Sequence, residues 1–174
     1  MRVTTSFIPA AIAGLGLLTT PLTIPQPAQA QALNVYRIDV ESIYVERDQR
    51  TKRVNFEGLL ELRGRFSANN VTAPEYPTSS SFISLAQGQT ANLNYNIANI
   101  TSSGPLPVTV PIEAKLLELE PGGGQGGTDQ GILTDNIVLD GSPVVTKTLR
   151  LTISGDNWKE RSATVLVTFK ATKQ

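Results

Sequence analysis

Asp129, Asp135 and Asp140 fall within one short stretch of the chain. Carboxylates on loops that join strands, together with backbone carbonyls, are what a calcium ion takes. Their spacing does not follow the Asp-x-Asp-x-Asp-Gly pattern of the helix-flanked calcium loop, and Asp140-Gly141 also reads as a turn. The stretch is therefore expected to be loop, with calcium on these three residues as one reading and solvated carboxylates as the other. Arg47, Arg50, Lys52 and Arg53 form a second group, interleaved with Glu46 and Asp48. A basic loop tip attracts an acidic partner, whereas mixed signs in a strand connection discourage edge-to-edge association. Trp158, the single tryptophan, falls in an expected loop, where it serves either as a partner contact or as a cover for the end of the core.

The residue types also exclude chemistry. The 174 residues include no His and no Cys, which removes Ser-His-Asp and Cys-His nucleophiles, disulfides, redox pairs and the nitrogen and sulfur ligands of zinc. Glycoside hydrolysis needs only two carboxylates, but it also wants a cleft lined with aromatics, and these are 6% of the chain and sit mostly on the apolar parity of strands. No Ser-x-x-Lys occurs on a helical pattern. The glycine-rich residues 121–131 lack the following helix and the placed Lys or Ser of a phosphate cradle, and are expected to be a flexible connection. The expectation is a protein that is not an enzyme. Asn70-Val71-Thr72 and Asn99-Ile100-Thr101 match the glycosylation acceptor pattern, and in a bacterium they stay unmodified.

The elements that must position these groups alternate with period two, the signature of half-buried strands. Residues 34–46 carry Tyr36, Ile38 and Val40 on one parity and Ile43 and Val45 on the other, which places a bulge near Glu41-Ser42. Residues 54–68 set Phe56, Leu60, Leu62, Gly64 and Phe66 against Glu57, Glu61, Arg63 and Arg65. Asp39 and Glu41 of the first strand are expected to pair with Arg63 or Arg65 across a sheet. Residues 81–86 and 90–100 read as strands around a turn at Gly88, with Leu93, Tyr95 and Ile97 inward. Residues 106–120 alternate through Val108, Val110, Ile112 and Ala114, then shift to Leu117 and Leu119, which suggests a second bulge. Pro107 and Pro111 place the first half of that strand at a sheet edge. Residues 144–153 and 162–171 form an expected hairpin, and Ile132 to Leu139 supplies an eighth strand if it pairs. Seven or eight strands with one apolar face each call for an all-β, two-sheet antiparallel β-sandwich, immunoglobulin-like or C2-like, with a closed barrel as the alternative.

Residues 1–30 read as a secretory signal, from Arg2 through the apolar run Phe7 to Leu18 to the small residues at Ala28 and Ala30. Cleavage after Ala30 or Ala32 leaves residues 31–174 as a single domain with no transmembrane segment. Arg2 is the only charge before Gln31, and the whole chain balances 15 basic against 15 acidic residues. The remainder thus stands about one charge below neutrality, which disfavours nucleic acid and anionic lipid. The expected role is contact with a protein partner or self-assembly at a bacterial cell envelope, through strand edges such as 106–111 and 162–171. The alternatives are a ligand-binding module assisted by calcium, and an inhibitor of an exported enzyme.

Overall fold

Apolar and polar residues alternate along most of the chain after Leu33, a pattern that buries one face of a strand and leaves the other in water. A computed structural model of the chain describes residues 33–48, 59–78, 81–119, 129–154 and 162–174. The expected export segment 1–30, the connection holding Arg50 and Arg53, the glycine-rich residues 121–128 and Trp158 lie outside the described residues. Among the described residues there are nine strands and no helix: β1 (Asn34–Asp48), β2 (Leu59–Ala68), β3 (Val71–Thr72), β4 (Ile83–Ala86), β5 (Thr90–Ser102), β6 (Val108–Glu118), β7 (Asp129–Leu139), β8 (Val144–Ile153) and β9 (Ala163–Lys173).

The strands form two antiparallel sheets. Sheet A has the order β5-β1-β9-β8, and sheet B the order β3-β2-β6-β7 with β4 also beside β2. Their inner faces supply one core. Tyr36, Ile38, Val40, Ile43 and Val45 of β1 are fully buried, as are Leu60, Leu62 and Phe66 of β2 and Val165, Val167 and Phe169 of β9. Each such side chain contributes about 1.5–3 kcal/mol on leaving water. This is the expected sandwich. The closed-barrel alternative is set aside, because among the described residues the β7 and β8 edges are joined by a single bridge, Gln130 with Ser154, and not by a ladder.

The bulge expected at Glu41-Ser42 is present: the register shifts between Val40 and Ser42 against both β5 and β9. A further shift lies between Ile38 and Asp39, where β5 has the extra residue and both Ile97 and Ala98 are buried. Asn94, at φ 47°, takes a left-handed conformation in the same strand. The second expected bulge, at Leu117, is not there. Strand β6 keeps one register from end to end, so Leu116 and Glu118 point inward and Leu117 and Leu119 are half-buried. The run Leu116-Leu117-Glu118-Leu119 satisfies either parity on composition, and two flanking ladders decide it.

Of two expectations about edges, one is corrected and one is met. Strand β9 is interior, flanked by β1 and β8 along its length, because its alternating apolar face is backed by partners on both sides. The first half of β6 lies at an edge as its prolines predict, since Val108 to Pro111 pair with β7 alone and β2 joins only from Ile112 onward. There the Pro111 carbonyl accepts the Asn69 amide at 2.9 Å. The amide and carbonyl of a strand residue point the same way, so the donorless nitrogen of Pro111 faces the side on which the β2 ladder has ended. The carboxylates of β1 do not meet Arg63 or Arg65, since β1 and β2 belong to different sheets. Asp39 instead accepts from Arg37 Nε at 2.8 Å and Asn96 Nδ2 at 3.1 Å, and Glu41 from Lys170 Nζ at 3.0 Å.

The chain passes from sheet B to sheet A through the turn after Leu139. Asp140 Oδ1 accepts the Ser142 amide at 2.9 Å, an Asx turn. At the far end of this strand pair the backbones press together. A Cβ on Gly131 would lie 2.7 Å from the Thr152 carbonyl oxygen, so only glycine fits.

Candidate functional site

The three carboxylates expected to share a loop are distributed along β7 and its exit. Asp129 opens the strand and is buried, directly opposite the buried Glu118 of β6. Asp135 lies midway, and Asp140 follows the strand. At about 3.3 Å per residue, Asp129 and Asp135 stand roughly 20 Å apart. The stretch read as loop is a strand, and its carboxylates do not converge. Among the described residues no three Asp, Glu, His or Cys side chains are grouped to hold a metal. Asp135 is engaged by Lys147 Nζ of β8 at 2.6 Å and by the Asn136 amide at 2.7 Å. These two donors, Lys147 foremost, hold its carboxyl below the ordinary range. The Ser142 amide does the same for Asp140. Arg47 is exposed near the end of β1 rather than in a loop.

The structure gathers a different set of side chains, on the outer face of sheet B. Period two turns Arg63 and Arg65 of β2 and Lys115 and Leu117 of β6 to that face, together with Gln130, Ile132, Thr134 and Val138 of β7. Register then sets them in rows: Arg63, Leu117 and Gln130; Arg65, Lys115 and Ile132; Ser67, Glu113 and Thr134. Ile132 and Val138 are 54% and 46% exposed, unusual for branched apolar side chains in mid-strand. Leu133, on the inward parity, is still 37% exposed, and Val144, the first residue of β8, is 46% exposed. These rows include one hydroxyl bonded to a carboxylate, Thr134 Oγ1 to Glu113 Oε2 at 3.3 Å. They offer apolar area beside positive charge.

Sequence reading placed Arg63 and Arg65 on a solvated charged face but missed Lys115, Leu117, Ile132 and Val138. The apolar outward residues of β7 were the available signal, and they were read only as a conditional strand over Ile132 to Leu139, overlapping an expected loop. Their neighbourhood depends on register between distant strands, which alternation does not carry.

No family model and no curated protein matches this sequence. Among solved structures the chain is similar to a C2 domain of plant Extended Synaptotagmin 1, with 13% identity over 81% of this chain and 94% of that one, at a TM-score of 0.40. The sandwich is read from strand order and register and owes nothing to that likeness.

Proposed function

We propose that the chain is an exported, non-catalytic module of the cell envelope that binds a protein partner or further copies of itself through the outer face of β6 and β7. One observation carries the reading. Ile132 and Val138, both large, apolar and exposed, project from β7 onto this face. A sheet face that keeps branched apolar side chains in water beside charged ones has the character of an interaction surface.

The proposed route is a face, and the edges at β5, β2 and the first half of β6 are obstructed. Register shifts and the left-handed Asn94 distort edge strand β5, and Pro111 guards the open half of β6. The outer side of β2 is divided among β3, a bridge at Tyr76 and β4. Bulges, proline and short edge strands are the devices that prevent strand addition. The test is the native mass of the protein in an unheated envelope or culture fraction, by size-exclusion chromatography with light scattering. The wild type is expected in a species well above monomer mass, and the double variant Ile132→Asp, Val138→Asp at monomer mass. A wild type that is already a monomer overturns the proposal.

A further inference from the structure

Arg65 of β2 and Lys115 of β6 are direct cross-strand partners on the outer face of sheet B. Opposed side chains have Cβ atoms about 4.5–5.5 Å apart, and like charges so placed destabilise a sheet. The surroundings do little to neutralise them. Glu75 Oε1 lies 3.9 Å from Arg65 Nη2 and Oε2 lies 3.7 Å from Arg63 Nη1. One carboxylate therefore serves two guanidiniums at lengths beyond a hydrogen bond. Glu113, the next outward residue of β6, accepts a hydrogen bond from Thr134 Oγ1 at 3.3 Å. No carboxylate among the described residues comes within ion-pair distance of Lys115. The same row ends on Ile132, paired with Lys115 and 54% exposed.

Resting on the reading of this face as the contact surface, we infer that Arg65 and Lys115 receive a side-chain carboxylate from an extended acidic segment of the partner protein, whose next apolar residue on the same side covers Ile132. A carboxylate seated between the two cations turns their repulsion into two charge-assisted contacts, and the planar guanidinium accepts it as a fork. The spacing fits an extended chain. Neighbouring strands lie about 4.8 Å apart, so the midpoint between β2 and β6 stands about 7 Å from β7, and residues i and i+2 of an extended segment are separated by about 6.6–6.8 Å. An acidic residue and an apolar residue two positions apart therefore reach both halves of the row. A phosphate would satisfy the cations but leave Ile132 in water.

The test titrates two short peptides into the full chain, one alternating threonine with glutamate and leucine, the other with glutamine in place of glutamate. Amide shifts in the NMR spectrum report the site. The glutamate peptide is expected to bind about tenfold tighter at low salt, with the advantage shrinking as salt rises, and shifts are expected to centre on Arg65, Lys115 and Ile132. Lys115→Glu is expected to abolish the advantage and to raise Tm by a few degrees, because it replaces a repulsive cross-strand pair with an attractive one. Equal affinity for the two peptides overturns the inference, as does an advantage that survives Lys115→Glu or inorganic phosphate that outcompetes the glutamate peptide. Equal affinities in a protein whose native complex is lost in the Ile132→Asp, Val138→Asp variant remove this inference and leave the contact surface. A native monomer that still discriminates between the peptides removes the assembly and leaves the carboxylate site.

Discussion

Phe66 of β2 and Phe169 of β9 meet edge to face across the sandwich, with ring centroids 6.4 Å apart and planes at 81°. Both are fully buried, and the contact joins a strand of sheet B to one of the two interior strands of sheet A. Geometry of this kind adds about 0.5–1.5 kcal/mol beyond the area buried. Phe169→Ala is expected to cost about 3–5 kcal/mol, read from denaturant midpoints. A double-mutant cycle with Phe66→Leu and Phe169→Leu should return a coupling of about 1 kcal/mol, and a coupling near zero would mean that the rings are mere filler.

Gly131 tests how closely the two sheets approach at the β7 and β8 edges. A methyl group there would meet the Thr152 backbone carbonyl, which has no rotamer with which to withdraw. Gly131→Ala is expected to destabilise by about 1–3 kcal/mol, although alanine normally suits a strand better than glycine. A variant as stable as the wild type would show that the edges stand further apart than described.

Tyr36 carries a removable penalty. Its hydroxyl is buried and has no hydrogen-bond partner among the described residues, and an unsatisfied buried polar atom costs about 1–3 kcal/mol. Tyr36→Phe keeps the ring and removes the oxygen, so stability should rise by about 1 kcal/mol. A loss of stability in thermal or urea unfolding would reveal that the hydroxyl has found a partner in solution.

The Asp135 and Lys147 pair crosses from β7 to β8 and gives a pH signature with a definite sign. Because the carboxyl is held below its ordinary range, the pair's contribution is present above that range and is lost as pH falls through the lowered value. Both side chains are well exposed, so the effect on overall stability is small, and the readout is the titration of Asp135 itself by NMR. Lys147→Met should move that titration back up toward the ordinary carboxylate range. An unchanged midpoint would show that the Asn136 amide alone sets it.

Much of this architecture was legible in the sequence because burial on one face forces alternation, as in Leu60, Leu62 and Phe66 of β2 or Leu149, Leu151 and Ile153 of β8. The bulge in β1 was legible because strong apolar residues flank the change of parity. Strand β7 was not. Gly131, Thr134 and Asn136 dilute its pattern, and Leu133 and Asp135 take inward positions that the core only partly covers. The end of β6 misled for the opposite reason, with leucines available on both parities and a buried Glu118 in the place of an apolar residue. The candidate surface was least legible of all. Arg65 and Lys115 are 50 positions apart in sequence, and nothing local declares that they face each other.

Strand β1 lies between β5 and β9, and the Val35 carbonyl accepts the amide of Gln174 at 2.9 Å. A chain emerging from a ribosome therefore holds an interior strand that stays half-paired until β9 has followed it. Folding rates fall as native contacts span longer stretches of chain, and here the longest span runs through the middle of a sheet. Losing β9 would split sheet A down its middle instead of trimming its margin.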